Sequence, residues 1–314
     1  MKNLRVVPYT AADKKIWDAW VVTSKNGTFL FCRDYCEYHA NRFIDNSLLF
    51  FEGDTLVALM PANLTGDTVI SHGGLTFGGI VSGTSMKAGI MLQLFEVLIG
   101  FLKAQGVAHF VYKAVPHIYH RCPAEEDLYA LHVNGARLIR RDASATLFLT
   151  EKLPFSKGRK GEIKRAKAAG LKVSQDYDFE RFLRIQENLL RAKYNRIPTH
   201  TGAELTYLAE LFPQHIKLFA AKRDGEMVAG IVIYETDIVA HAQYISATDE
   251  GKDIGAVDII LDYLINEYYR DKKYFDFGIS TEDAGHYLNA GLMQNKESYG
   301  ARTIAYDFYG LDVA

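Results

Sequence analysis

The residues best suited to chemistry fall in a few short stretches. The run Ile70-Ser71-His72-Gly73-Gly74-Leu75-Thr76-Phe77-Gly78-Gly79 combines an imidazole with two Gly-Gly pairs. Glycine pairs let a backbone approach a ligand closely, and His72 is a candidate general base near neutral pH. Ser71 and His72 are adjacent, so in a strand they point to opposite faces and form no triad. The loop reads either as the lining of an acceptor cleft, with Thr76 and Phe77 as substrate contacts, or as a glycine-rich bend. Further on, Tyr244 and Ser246 lie two apart and share one face of a predicted strand, where they line a cleft or pack. Asp276 and Glu282 flank another strand end as alternative bases, although Asp276 is equally suited to cap a following helix. Lys296 is the candidate for stabilising developing negative charge. Residues 157–172 hold seven basic side chains and one acidic one, Glu162, a net of +6. Within that run Arg159, Lys160, Lys164 and Lys167 are candidates for gripping a phosphate-bearing carrier, with Lys160, Lys164 and Lys167 on one helical stripe.

Cys32, Cys36 and His39, and separately His117, His120 and Cys122, raise the question of a metal. Structural zinc uses paired Cys-x2–4-Cys spacings, and the second cluster has the wrong composition for a standard finger. No metal is expected, and Cys32 and Cys36 read as buried helix residues.

Across the whole chain, 36 basic against 38 acidic side chains in 314 residues exclude a globally basic nucleic-acid coat, and no DNA partner is expected. Three cysteines are too few for a disulfide scaffold, which fits a reducing compartment. The first nine residues show no apolar signal-peptide core. The apolar stretch 89–102 contains Gln93 and Glu96 and is too short to span a bilayer. A soluble, cytoplasmic protein is the expectation. The length suits two domains of about 150 residues.

The elements that position these residues occur twice. Glu52-Gly53-Asp54-Thr55-Leu56-Val57-Ala58 and Asp224-Gly225-Glu226-Met227-Val228-Ala229-Gly230 are the same hairpin signal. Strands follow at 69–75 and 239–245, then glycine-bearing loops at 78–83 and 251–255. Amphipathic helices are predicted at 88–105, with Leu92, Phe95, Leu98 and Leu102 on one face, and at 256–270, with Ile260, Leu261, Leu264 and Tyr268. Strands at 108–113 and 274–278 come next. Each half then carries Gly-Ala-Arg, at Gly135-Ala136-Arg137 and Gly300-Ala301-Arg302, and a last strand, at 145–149 and 303–309. The offset stays between about 165 and 171 residues, the mark of an internal repeat. Strand–turn–helix–strand is a crossover, so each unit contains a parallel pair inside a mixed sheet. Two units are expected, 1–153 and 154–314, joined by a linker at 154–161. Whether the last strand closes its own unit or the first is left open.

This order resembles the GNAT acyltransferase unit, and the tandem pair resembles the Fem-type peptidyl and aminoacyl transferases. Residues 159–173 (a basic helix, a glycine, then a strand) look like the opening of the Fem second unit. Phe275-Asp276-Phe277-Gly278 resembles its strand-end Asp-Phe-Gly. Asn295-Lys296-Glu297-Ser298-Tyr299-Gly300 resembles its Phe-Lys-x-x-Phe-Gly signature, with Asn and Tyr replacing the aromatics. The resemblance spans about residues 26–311. It implies an α/β protein of two GNAT-like units that moves an acyl or aminoacyl group from an activated carrier to a primary amine. The carrier would be aminoacyl-tRNA or an acyl thioester such as acyl-CoA, used as co-substrate with no permanently bound cofactor. The acceptor would be a cell-wall peptide precursor or another amine. Such chemistry needs an activated acyl group, a deprotonated amine and a donor for the oxyanion. Lys296 matches the family's signature lysine.

One stretch departs from the pattern. A CoA-binding GNAT unit carries Arg/Gln-x-x-Gly-x-Gly/Ala before its central helix, where backbone N–H groups cradle the pyrophosphate. This chain has Thr248-Asp249-Glu250-Gly251-Lys252-Asp253-Ile254-Gly255-Ala256-Val257. Gly255 and Lys252 keep the register, but three carboxylates would repel a diphosphate. That favours a Fem-like use of the fold, or an unusual acyl donor; the alternatives are a conventional acetyl-CoA-dependent N-acetyltransferase with one live unit and a catalytically silent protein that binds a nucleotide or peptide.

Overall fold

The computed structural model describes residues 4–194 and 197–313. In chain order the first elements are β1 (Leu4–Pro8), α1 (Lys14–Thr23), α2 (Arg33–Glu37), β2 (Ile44–Asp45), β3 (Leu48–Glu52), β4 (Thr55–Met60), β5 (Asn63–Thr65), β6 (Thr68–Ile70), β7 (Val81–Ser82), α3 (Ala88–Ala104), β8 (His109–Lys113), α4 (Glu126–Val133) and β9 (Arg137–Phe148). They are followed by α5 (Lys157–Ala168), β10 (Lys172–Asp176), α6 (Phe179–Tyr194), α7 (Gly202–Leu211), β11 (Ile216–Arg223), β12 (Glu226–Glu235), β13 (Val239–Ala247), α8 (Asp249–Asp253) and α9 (Ala256–Tyr263). The chain ends with β14 (Tyr274–Ile279), β15 (Thr281–Glu282), β16 (Tyr287–Leu288), α10 (Ala290–Glu297) and β17 (Arg302–Asp312). Two compact units result. One comprises Met1–Ala143, Glu282–Tyr287 and Ala305–Ala314; the other comprises Ser144–Thr281 and Leu288–Ile304.

In the first unit, β1, β3, β4 and β7 form an antiparallel sheet in the order β1-β3-β4-β7. A further ladder runs from residues 308–312 of β17 through β8, β6 and β5 to β2, and only β6 and β8 are parallel. Helix α3 supplies Met91, Leu94, Phe95, Leu98 and Leu102 to a core shared with Leu48, Phe50, Phe110 and Tyr112. Leu92, predicted on that face, lies at its edge. The strand predicted over 69–75 stops at Ile70, because His72 adopts a left-handed backbone (φ 61°) and turns the chain out of the ladder.

In the second unit, the order is β10-β11-β12-β13-β14 followed by residues 144–148 of β9. The β13–β14 pair is parallel. Strand β12 reads Met-Val-Ala-Gly-Ile-Val-Ile-Tyr without alternation, as a strand covered on both faces must. Helix α6 covers one face, with Phe182 so close to Gly230 that a Cβ there would lie 2.6 Å from its ring. Helix α9 covers the other. The helix predicted over 256–270 is α-helical only to Tyr263. Residues Leu264–Tyr268 form a π-turn, closed by Tyr269 N–H on the Leu264 carbonyl at 2.9 Å. The extra residue per turn rotates the buried face, so Tyr269 is buried while Tyr268 is 40% exposed. The linker expected over 154–161 is shorter than predicted, since α5 begins at Lys157 with Ser156 as its N-cap.

The first unit's core is tightly filled around Leu98, which is fully buried. Leu98→Ala is expected to cost about 2–5 kcal/mol, measurable as a lower midpoint in urea denaturation with helical content unchanged before the transition.

Candidate active site

The second unit brings three polar side chains into one row across adjacent strands. His241 on β13 is in register with Asp276 on β14, and Asp276 with Thr146 on β9. Asp276 is completely buried. Its Oδ1 accepts the Ser144 hydroxyl (2.6 Å), the Thr146 hydroxyl (2.7 Å) and the Gly278 N–H (3.3 Å), and its Oδ2 lies 2.7 Å from His241 Nδ1. Burial pushes its pKa up, but the hydrogen bond and charge of His241 and the two hydroxyls outweigh burial and hold the carboxyl well below its usual range. A carboxylate can only accept, so Nδ1 of His241 carries the proton and Nε2 keeps its lone pair in the neutral ring. The His241 side chain is 12% exposed. The resulting Asp–His pair is an oriented proton acceptor.

The strands around this pair open. The β13–β14 ladder runs only from Val239–Tyr274 to His241–Asp276, whereas β13 continues to Ala247. Just past His241 the β12–β13 register shifts, so Val232 faces Tyr244 and Ile233 faces Ala242, which leaves Gln243 as an extra residue. The bulge has two consequences. It leaves one residue, Gln243, outside the paired register of β12 and β13. It also places His241, Tyr244 and Ser246 on one face, opposite Tyr234, Val232 and Gly230. Tyr244 Oη lies 2.5 Å from His200 Nδ1, and burial pushes the phenol pKa up to about 12. The Ser246 hydroxyl is buried with no hydrogen-bond partner among the described residues.

Lys296 lies in the same unit, on α10. Its buried Nζ donates to the Gly278 carbonyl (2.9 Å) and the Ile279 carbonyl (2.8 Å), fixing the end of β14 where Gly278 has φ 75°. Burial pushes its pKa down to about 8, against the pull of the Asp276 charge. Of the predicted residues, Lys296, Asp276, Tyr244 and Ser246 therefore come together on β13, β14 and the helix that braces them.

His72, Thr76 and Phe77 belong to the first unit. Phe77 is buried against Tyr119 (ring centroids 4.5 Å apart) and Phe31 (5.9 Å), and Thr76 is exposed. His72 is buried beside His39 and Phe43. Burial, then the charges of His39 and Lys113, lower its pKa to about 3, so the ring is neutral and resists taking a proton.

The basic helix α5 is partly committed to packing. Arg159 donates to Asp258 (3.0 Å) and Ser298 (2.8 Å) and lies over the Tyr299 ring. Lys167 pairs with Asp262. Lys160 and Lys164 are exposed, and Lys160 borders a recess of about 480 Å³ with Lys152, Phe155 and Lys167.

The residues preceding α9 form a short helix with internal bonds. Positions 249–253 are wound into α8, whose Gly251 and Lys252 N–H groups bond to Thr248. Lys252 is tied to Asp249 at 2.7 Å. Both glycines serve packing. A Cβ on Gly251 would lie 2.2 Å from the Val228 carbonyl, and one on Gly255 (φ 73°) would lie 2.7 Å from the Glu162 carbonyl. Gly255 thus holds α5 against α9. Among the described residues no group of three or more His, Cys, Asp or Glu could hold a metal ion. Cys36 is buried with its thiol on the Leu30 carbonyl. None of the helices among the described residues is long and apolar enough to cross a membrane.

Residues 156–287 match the family described as Acetyltransferase (GNAT) domain. No curated protein matches the chain. Among solved structures, FemX aligns with a TM-score of 0.71 over 98% of this chain and 97% of its own, at 10% identity. L-PGS from Bacillus licheniformis aligns with a TM-score of 0.56 over 81% of each chain, at 15% identity. A tandem GNAT protein from the clavulanic acid biosynthesis pathway aligns with a TM-score of 0.52 over 99% of each, at 11% identity. Fold and family match define the class as a GNAT acyltransferase fold. Within that class the fold is similar to FemX and to a tandem GNAT protein over nearly the whole chain, and residues 156–287 match the acetyltransferase domain.

Sequence reasoning singled out Asp276 but missed its partners His241, Ser144 and Thr146. The available signal was topological: a carboxylate in the middle strand of a crossover faces whatever its parallel neighbour presents in register.

Two outcomes follow from these placements. Between pH 6.5 and about 3 the unfolded chain protonates His72 while the fold excludes the proton. Stability is therefore lost as pH falls through that window, at up to about 1.4 kcal/mol per pH unit. His72→Asn, which tolerates the left-handed backbone, should flatten this limb in denaturation curves recorded across it. Arg159→Met should lower stability by about 1–3 kcal/mol by taking the cation from the buried Asp258 carboxylate, which among the described residues keeps only the Tyr299 hydroxyl, read as a shifted thermal midpoint.

Proposed function

We propose that the second unit transfers an acyl or aminoacyl group from an activated carrier to a primary amine, with His241 as the proton acceptor. The observation that carries this reading is the His241–Asp276 pair at the point where β13 and β14 part. The neutral amine attacks the carbonyl carbon. The oxyanion is met by β13 backbone N–H groups beyond the bulge, and the ammonium proton passes to Nε2 of His241. Asp276 stabilises the imidazolium and fixes its orientation. Collapse restores the carbonyl of the new amide, whose C–N bond the attack has already formed, and breaks the bond to the carrier, whose oxygen or sulfur leaves with the proton. Tyr244 and Ser246 line the face along which the acyl group lies. Lys296 holds the Gly278 and Ile279 carbonyls and so positions the strand end.

The carrier favoured by this loop is one without a diphosphate at α8, where Asp249, Glu250 and Asp253 gather. An aminoacyl ester on tRNA meets that condition, and the exposed Lys160 and Lys164 suit its phosphates. The acceptor proposed is the amine of a cell-wall peptide precursor, in keeping with the FemX-like fold. A second reading takes acyl-CoA as donor and rests on the match of residues 156–287 to the acetyltransferase domain.

The test is transfer to a primary amine from a panel of aminoacyl-tRNAs and acyl-CoAs. His241→Gln should lower kcat/KM by about 10²–10⁴-fold, and Asp276→Asn should do so through a misoriented ring. Undiminished transfer by the His241 variant would refute the assignment. Turnover with acyl-CoA alone would select the second reading, and binding without turnover would leave a recognition protein.

A further inference from the structure

The two units share element order, so the candidate site of the second has a definable counterpart in the first. Both hairpins place a residue five positions after the turn glycine opposite a serine: Ala58 faces Ser82 and Gly230 faces Ser246. Both crossovers set three residues in parallel register: Thr68–Val69–Ile70 on His109–Phe110–Val111, and Val239–Ala240–His241 on Tyr274–Phe275–Asp276. The third strand completes each row, with Gly310 facing Val111 and Thr146 facing Asp276. The counterpart of His241–Asp276–Thr146 is therefore Ile70–Val111–Gly310, which has no titratable or hydrogen-bonding side chain.

The opening differs as well. From His241 to Ser246 the second unit uses five steps and one bulge. From Ile70 to Ser82 the first uses twelve, so the strand is split into β6 and β7 by the excursion 71–80. The excursion folds back into the gap. Ser71 N–H bonds to the Val111 carbonyl (2.9 Å) and Gly78 N–H to the Lys113 carbonyl (2.9 Å). Lys113 N–H bonds to Ser71 Oγ (2.7 Å) and Ile80 N–H to Tyr112 Oη (2.8 Å). The buried Lys113 ammonium clamps the His72 and Leu75 carbonyls. A Cβ on Gly78 would lie 1.8 Å from the Ser71 carbonyl oxygen, so the seal requires glycine there.

From these differences we infer that the first unit is a sealed, non-transferring copy, and that the chain has one acyl-transfer centre, in the second unit. The assignment of that centre rests on the proposed function; the seal does not. Amide exchange followed by mass spectrometry tests the seal directly on the full chain. Resolved to single residues, the amides of Ser71, Gly78, Ile80 and Lys113 should exchange slowly, and Gly78→Ala should speed them. Fast exchange of these amides in the unaltered chain would overturn the sealed copy, whatever the activity. Transfer assays with the aminoacyl-tRNA and acyl-CoA panel test the single centre. Val111→Ala should leave transfer unchanged while His241→Gln lowers it at least about 100-fold. Transfer that survives in His241→Gln and disappears when Val111→Ala is added would place a working centre in the first unit. Absence of any transfer by the unaltered chain would count against the reading of the second unit, with the seal still decided by exchange.

Discussion

The second unit is organised around the buried carboxylate of Asp276. Removing such a charge from water costs several kcal/mol, and the cost is offset only if every acceptor site is met. Two hydroxyls from β9, an imidazole from β13 and the N–H of Gly278 meet it. That arrangement requires three strands in fixed register and a left-handed glycine two residues on. Lys296 completes it from α10 by holding the carbonyls of the same turn. The carboxylate thus connects residues that lie as far apart in sequence as Ser144 and Lys296.

The same constraint separates roles that the residue types alone leave confounded. Asp276 is saturated with donors and strongly disposed to stay ionised, so it orients rather than titrates. His241 keeps one nitrogen beyond the reach of the carboxylate and near the parting strands. Lys296 spends its donors on backbone carbonyls, which makes it a brace for the strand end. The basic helix divides in the same manner, with Arg159 consumed in packing and Lys160 and Lys164 left at the surface.

Much of the architecture was legible in the sequence. The duplicated hairpin, the crossover helices and the order of strands followed from periodicity and turn chemistry, because those signals extend over many residues. The departures come from insertions of one or a few residues. The bulge at Gln243 brings His241 to the face of Tyr244, although a spacing of three puts them on opposite faces of a regular strand. The π-turn at 264–268 exchanges Tyr268 for Tyr269 in the core. The excursion after Ile70 splits a strand that reads as continuous through Leu75. His72 was conspicuous for its glycine neighbours, of which Gly78 and Gly79 pack closely against Ser71 and Tyr112, and burial keeps the ring neutral.

Four glycines of the second unit illustrate what such packing does to sequence. At Gly230, Gly251 and Gly255 a side chain would collide with Phe182, the Val228 carbonyl and the Glu162 carbonyl, and at Gly278 the backbone is left-handed beside His241. Each of these positions marks where two pieces of the unit touch. The aligned structures share only 10–15% of their residues with this chain, so side-chain identity is a poor guide to kinship here. A pattern built on the spacing 230, 251, 255 and 278 would instead describe the shape of the unit through the places that admit no side chain. Such a pattern would find relatives that have exchanged every other residue.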